Sequence, residues 1–184
     1  MTESERQARK SKEVPMTVDS FKYIPRLLGA FYQNIDRKPI RPIPWSPLKL
    51  PLNRCKFGLV TSGGLFYKEE EPPFDLEREK REPTWGDPTF RTIPAGISQE
   101  ELGVSNLHID TKDVMADMNI LLPLQRFNEF VAEGRIGGLA SFAYSFMGYQ
   151  GHPPNAAEWH NTYGPKVAQK LKAEGVNCIL LTPS

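Results

Sequence analysis

The feature that most constrains this chain lies in its last third. Trp159, Tyr163, Val167 and Leu171 recur at four-residue steps, which sets them on one stripe of a helix. Gly175 follows where a helix turns off its axis, and Val176-Asn177-Cys178-Ile179-Leu180-Leu181 is an apolar run of strand length. Helix, glycine, then a strand apolar on both faces is half of a parallel crossover, and such a strand needs helices above and below it. Gly164-Pro165 predicts a kink or restart in the helix, because proline lacks the N–H a continuous helix uses. The chain is therefore read as α/β, with three layers built on a mainly parallel sheet with flanking helices.

Earlier segments fit the same frame. Cys55 to Val60 is a short apolar run stopping at Thr61-Ser62-Gly63-Gly64, which predicts a buried strand and a glycine turn. Thr89 to Ile93 alternates and predicts a second strand, Leu107-His108-Ile109 a third, and Asn119 to Leu122 is a fourth apolar run that ends at Pro123. Leu124, Phe127, Phe130 and Val131 mark a helix that Gly134 terminates. Residues 68–82 hold eleven charges and two prolines, and read as a solvated loop. The domain is placed at 55–184. Residues 1–15 are read as a disordered tail, and 16–54 as an N-terminal helix with a Pro-rich connector anchored by Trp45.

Composition narrows the function classes. Lys plus Arg is 23 against 22 Asp plus Glu, a net charge of +1, so no general field gathers nucleic acid or an anionic membrane. No apolar run approaches the ~18 residues of a membrane span, and the charged N-terminus has no apolar core of a secretory signal. The two cysteines, Cys55 and Cys178, make neither a disulfide framework nor a four-ligand zinc site. A metal-free cytoplasmic protein without nucleic-acid or membrane partners is the expectation.

In parallel sheets, reactive groups collect beyond the carboxyl ends of the strands. Dinucleotide, P-loop, zinc-protease and nucleophile-elbow motifs are all missing from the sequence. The Thr61–Gly64 turn presents backbone N–H groups to an anion or is a plain tight turn. His108 and Asp110 flank Ile109, so an extended segment would direct both to one face, either as an acid–base pair or as a simple hydrogen-bonded pair. His152 and His160 are read as structural, and Cys178 as a core residue.

Several segments, in this order and spacing, resemble one family: Phe57 to Gly64, Phe90 to Pro94, Val104 to Asp110, Asp117 to Ile120 with Pro123, Glu133 to Gly137, Ser145 to Gly148, and Glu174 to Thr182. Together they are similar to the selenoprotein B family of glycine, sarcosine, betaine and D-proline reductases. The resemblance implies reductive cleavage of a C–N bond in an amino acid or derivative. It also implies a partner subunit bearing a pyruvoyl group and a thiol reductant. The family's redox residue is a selenocysteine or cysteine in a U-x-x-C or C-x-x-C motif, expected at or just after Ser184, so no catalytic residue is expected within the chain. Selenocysteine is encoded by UGA, and the expectation is a longer selenoprotein cut where UGA is taken for a stop. The chain as given is then expected to be inactive alone and marginally stable. The residues expected to line the cleft are Thr61, Ser62, Gly63, Gly64, His108, Asp110, Asp117, Asn119, Ser145, Met147, Gly148 and Thr182. Two other readings compete, a non-catalytic binding or subunit protein and a racemase-like α/β enzyme using two facing cysteines.

Overall fold

A computed structural model describes Ala30 and residues 46–184. The expected tail, N-terminal helix and most of the proline-rich connector, with Trp45, lie outside the described residues. The unit described here is Pro47–Ser184. It begins with an exposed, irregular stretch through Pro51 and a 3-10 turn over Leu52–Arg54.

Strand β1 (Lys56–Thr61) is the centre of the main sheet. One edge pairs in parallel with β7 (Cys178–Thr182), from Phe57 opposite Cys178 to Thr61 opposite Thr182. The other edge is shared. β5 (Gly138–Leu139) pairs with its start, and β6 (Phe142–Phe146) pairs with Val60 and Thr61, both in parallel. β3 (Phe90–Pro94) closes the far side, antiparallel to β6. β2 (Leu65–Tyr67) and β4 (Leu102–Val104) form a separate antiparallel pair. The sheet is thus mixed but mostly parallel, with helices flanking it, and the fold is α/β as the sequence predicts.

The two faces of β1 feed two cores. Leu59 is fully buried with Ile93, Met118, Leu122 and Leu124, beneath α2 (Thr111–Ala116) and α3 (Leu124–Ala132). Phe57 meets Phe127 of α3 edge to face, with ring centroids 5.4 Å apart. On the opposite face, Val60 packs with Tyr144 and Phe146 against Val167 and Leu171 of α4 (Gly164–Ala173). The four-residue stripe is therefore the buried face of this crossover, with Trp159 and Tyr163 packed beside it.

Pro165 shapes the start of α4. The preceding turn, Trp159–Tyr163, is a π-helix, and the Gly164 N–H reaches back five residues to the Trp159 carbonyl. A wide turn ahead of a proline is how a helix absorbs the missing donor. At the other end, Gly175 takes φ 76°, and the N–H groups of Gly175 and Val176 return to the carbonyls of Lys172 and Leu171. This is the Schellman closure that turns the chain into β7.

The structure corrects three local expectations. Residues 107–109 are not a strand; they form a bend, and the strand there is the earlier β4. Residues 118–120 form a 3-10 turn capped by Asp117, whose carboxylate accepts the Asn119 N–H. The charged stretch 68–82 is not all solvated loop. It contains α1 (Leu76–Arg81), capped by Asp75 and carrying the buried Glu79. No helix of the described residues is long and apolar enough to cross a membrane.

Candidate active site

The carboxyl ends of β1, β6 and β7 meet at one end of the sheet, because all three run the same way. A cavity of about 540 Å³ opens there, lined by Val60, Thr61, Ser62, Phe146, Trp159, Leu181 and Thr182 among others. Its walls are mostly apolar. The Trp159 indole N–H is the one buried side-chain polar atom without a partner among the described residues.

Beside the cavity the backbone turns are fixed by short polar contacts. The Thr61 hydroxyl donates to the Thr182 carbonyl at 3.1 Å and accepts the Gly63 N–H at 3.1 Å. The Thr182 hydroxyl donates to the Leu121 carbonyl at 2.6 Å, which ties the end of β7 to the 3-10 turn. The Ser184 N–H donates to the Ser62 hydroxyl at 3.0 Å, and the Ser184 hydroxyl to the Ser62 carbonyl at 2.9 Å. Gly64 takes φ 70°, and a Cβ on it would lie 2.3 Å from the Ser105 carbonyl oxygen, so only glycine fits this turn. Gly148 faces the same place, with the carbonyl oxygens of Ser62 and Ser184 at 3.1 and 3.2 Å from where its Cβ would be.

The remaining expected residues divide. Ser145 and Met147 are fully buried beneath this end, and the Ser145 hydroxyl accepts the Leu65 N–H at 2.8 Å. Asp117 and Asn119 lie instead in a separate polar depression with Gln99, Glu100, Gln125 and Arg126. The Asp117 carboxyl is held below the usual range, chiefly by the Asn119 N–H and then by the Asn119 side chain. Asp110 caps α2, accepting the Lys112 N–H at 3.0 Å.

The expected His108–Asp110 pair is replaced by another. His108 Nε2 lies 2.8 Å from Glu79 Oε1, and the Glu79 side chain is only 3% exposed while that of His108 is 49% exposed. The imidazole stacks on Tyr149 at 4.3 Å between centroids and 22° between planes. The Tyr149 hydroxyl is itself anchored to the Pro83 carbonyl. Asn106 accepts the His108 N–H at 2.8 Å and donates to the Gly63 carbonyl at 3.4 Å. His108 is thereby linked to the glycine turn through Asn106, and to Gly148 through its chain neighbour Tyr149. Glu79 was hidden in sequence by the charges around it; the one usable signal was its place four residues after the Asp75 cap.

The cysteines sit at the opposite end. Cys55 precedes β1 and is 1% exposed, and Cys178 opens β7. Burial, and next the neighbouring Cys55, push the Cys178 thiol above its ordinary range. Two thiols at the amino ends of the strands do not face one another across the cavity, which removes the support for a two-cysteine racemase.

The family model for glycine/sarcosine/betaine reductase selenoprotein B matches residues 35–184. The chain belongs to that family. It is 34% identical over 145 residues to the D-proline reductase subunit gamma of Acetoanaerobium sticklandii, covering 78% of this chain and 55% of that protein. It is 26% identical over 140 residues to the glycine reductase complex component B subunit gamma of Carboxydothermus hydrogenoformans, covering 76% of this chain and 30% of that protein. The chain thus spans about half the length of the first relative and under a third of the second. No solved structure matches the chain.

Proposed function

We propose that this chain is the scaffold part of a selenol- or thiol-dependent reductase subunit that cleaves a C–N bond of an amino acid or derivative. The observation that carries the reading is the position of Ser184. It is bonded to Ser62 and set over Gly148, at the carboxyl ends of β1, β6 and β7, beside the apolar cavity. Polypeptide following Ser184 would start inside this region, with no side chain on Gly148 to obstruct it. In this reading the following residues bring the selenocysteine or cysteine, which supplies a nucleophile ionised near neutral pH and a thiol to resolve it. The Thr61–Gly64 turn and the Ser145–Gly148 segment hold that position. A partner subunit with a pyruvoyl group captures the substrate amine, and a thiol reductant regenerates the pair.

Reading the coding sequence in frame past Ser184 tests this directly. A UGA or Cys codon opening a U-x-x-C or C-x-x-C motif supports it. A UAA or UAG stop without coding potential beyond it overturns it and leaves a binding or subunit role.

A further inference from the structure

Resting on that reading, we propose that His108 is the acid–base residue of the reductase centre and Glu79 its positioning residue. A carboxylate is costly to bury without a partner, and Glu79 is the buried residue of α1, with the half-exposed His108 ring as its side-chain partner. What the arrangement accomplishes is control of the imidazole. Glu79 holds Nε2, Tyr149 fixes the ring plane, and Asn106 fixes the backbone. Nδ1 makes no hydrogen bond among the described residues and is left for chemistry. The His108 segment is joined to the turn residues around Ser184 by two links: its backbone N–H to Asn106, which donates to the Gly63 carbonyl, and its ring stacked on Tyr149, the chain neighbour of Gly148.

The step it performs is proton delivery. As the C–N bond breaks, its electron pair goes to nitrogen, and the Nδ1 proton of the imidazolium passes to that nitrogen. The imidazole becomes neutral and takes a proton back from solvent. The selenolate or thiolate takes the place of nitrogen on the carbon, and the resolving thiol then attacks that chalcogen; the carbon keeps the electron pair of the broken carbon–chalcogen bond and takes the thiol's proton, so it is reduced by two electrons and the pair ends oxidised with a bond between its two chalcogens.

The test uses the complete subunit assembled with its partner subunits, with D-proline and glycine as probes. If the wild type reduces neither, the reductase reading fails and the proposal falls with it. If the wild type is active, His108→Gln, whose amide still reaches Glu79, is expected to lose about 10²- to 10⁴-fold in kcat with little change in KM. His108→Ala should regain part of that rate with added imidazole, which a structural role would not produce. Glu79→Gln should lose roughly tenfold in kcat. A second readout needs no turnover: nitrogen NMR of the neutral His108 ring, at alkaline pH, should show the Nε2–H tautomer in the wild type and a tautomer mixture in Glu79→Gln. Near-wild-type kcat in His108→Gln, loss in His108→Ala without imidazole rescue, or a tautomer indifferent to Glu79 each overturns the proposal.

Discussion

Arg91 offers the sharpest check on how the segment carrying Glu79 is held. Its side chain is 9% exposed and lies 3.5 Å from the Asp87 carboxylate, itself 11% exposed. Nε donates to the Pro72 carbonyl at 2.6 Å, one terminal nitrogen to the Pro73 carbonyl at 3.3 Å, and the other to the Thr89 hydroxyl at 2.8 Å. The guanidinium also lies over the Phe74 ring, 4.1 Å from its centroid. This one fork ties residues 72–74, the approach to α1, to strand β3. Arg91→Ala leaves a buried carboxylate without its counter-charge and two proline carbonyls without donors. Breaking a buried pair from one side costs about 3–5 kcal/mol. At roughly 2–4 °C per kcal/mol for a chain of this size, the melting temperature should fall by about 6–20 °C. Arg91→Lys keeps the charge but not the fork, and should lose only about 1–3 kcal/mol. The double change Asp87→Asn with Arg91→Met removes both charges and should recover part of the loss. Thermal and urea unfolding followed by circular dichroism reads all three. An Arg91→Ala variant within about 1 kcal/mol of the parent would refute the argument that this buried fork anchors the segment.

Three further outcomes are expected. Gly64→Ala should cost about 2–4 kcal/mol, since it combines a positive φ with a clash against the Ser105 carbonyl, and the urea midpoint should drop at constant slope. The Asp117 carboxyl is lowered in the folded chain, so its contribution is present above the ordinary carboxylate range and lost as pH falls through the lowered value; Asp117→Asn should flatten the part of the acid-side stability profile that lies below the ordinary carboxylate range, read by urea unfolding at stepped pH. The Cys178 thiol is raised by burial, so its neutral form favours folding below the ordinary thiol range, and that contribution is lost as pH rises through the raised value. Alkylation of Cys178 at about pH 8, followed by mass spectrometry, should run at least about tenfold slower in the native chain than in urea.

Much of the scaffold was legible because it rests on local repetition. The Trp159–Leu171 stripe, the apolar run of β1, the alternation of β3, and Leu124 to Val131 before Gly134 each state which face must leave water. The structure fills those faces as the spacing requires, except that Val131 stays exposed and of that helix Leu124 and Phe127 reach the core. β2, β4 and β6 carried weaker signals. β2 and β4 are three residues long, and β6 reads as a run around small residues, so their pairing rather than their composition makes them strands.

The site was legible only in outline. The sequence alone determined that a parallel crossover ends at Thr182, and hence that the carboxyl end of the sheet lies near Thr61–Gly64 and Ser184. It did not determine which polar groups meet there. His108 was paired with its chain neighbour Asp110 on the premise of an extended strand, whereas a bend separates their roles and Asp110 caps a helix. Its actual partner, Glu79, comes from a charged run 29 residues earlier. Apolar burial is repetitive and non-directional, so it leaves a period in the sequence. A hydrogen bond joins two particular atoms, and for Glu79 and His108 only the packing of α1 beside the residue 105–108 segment decides that they meet.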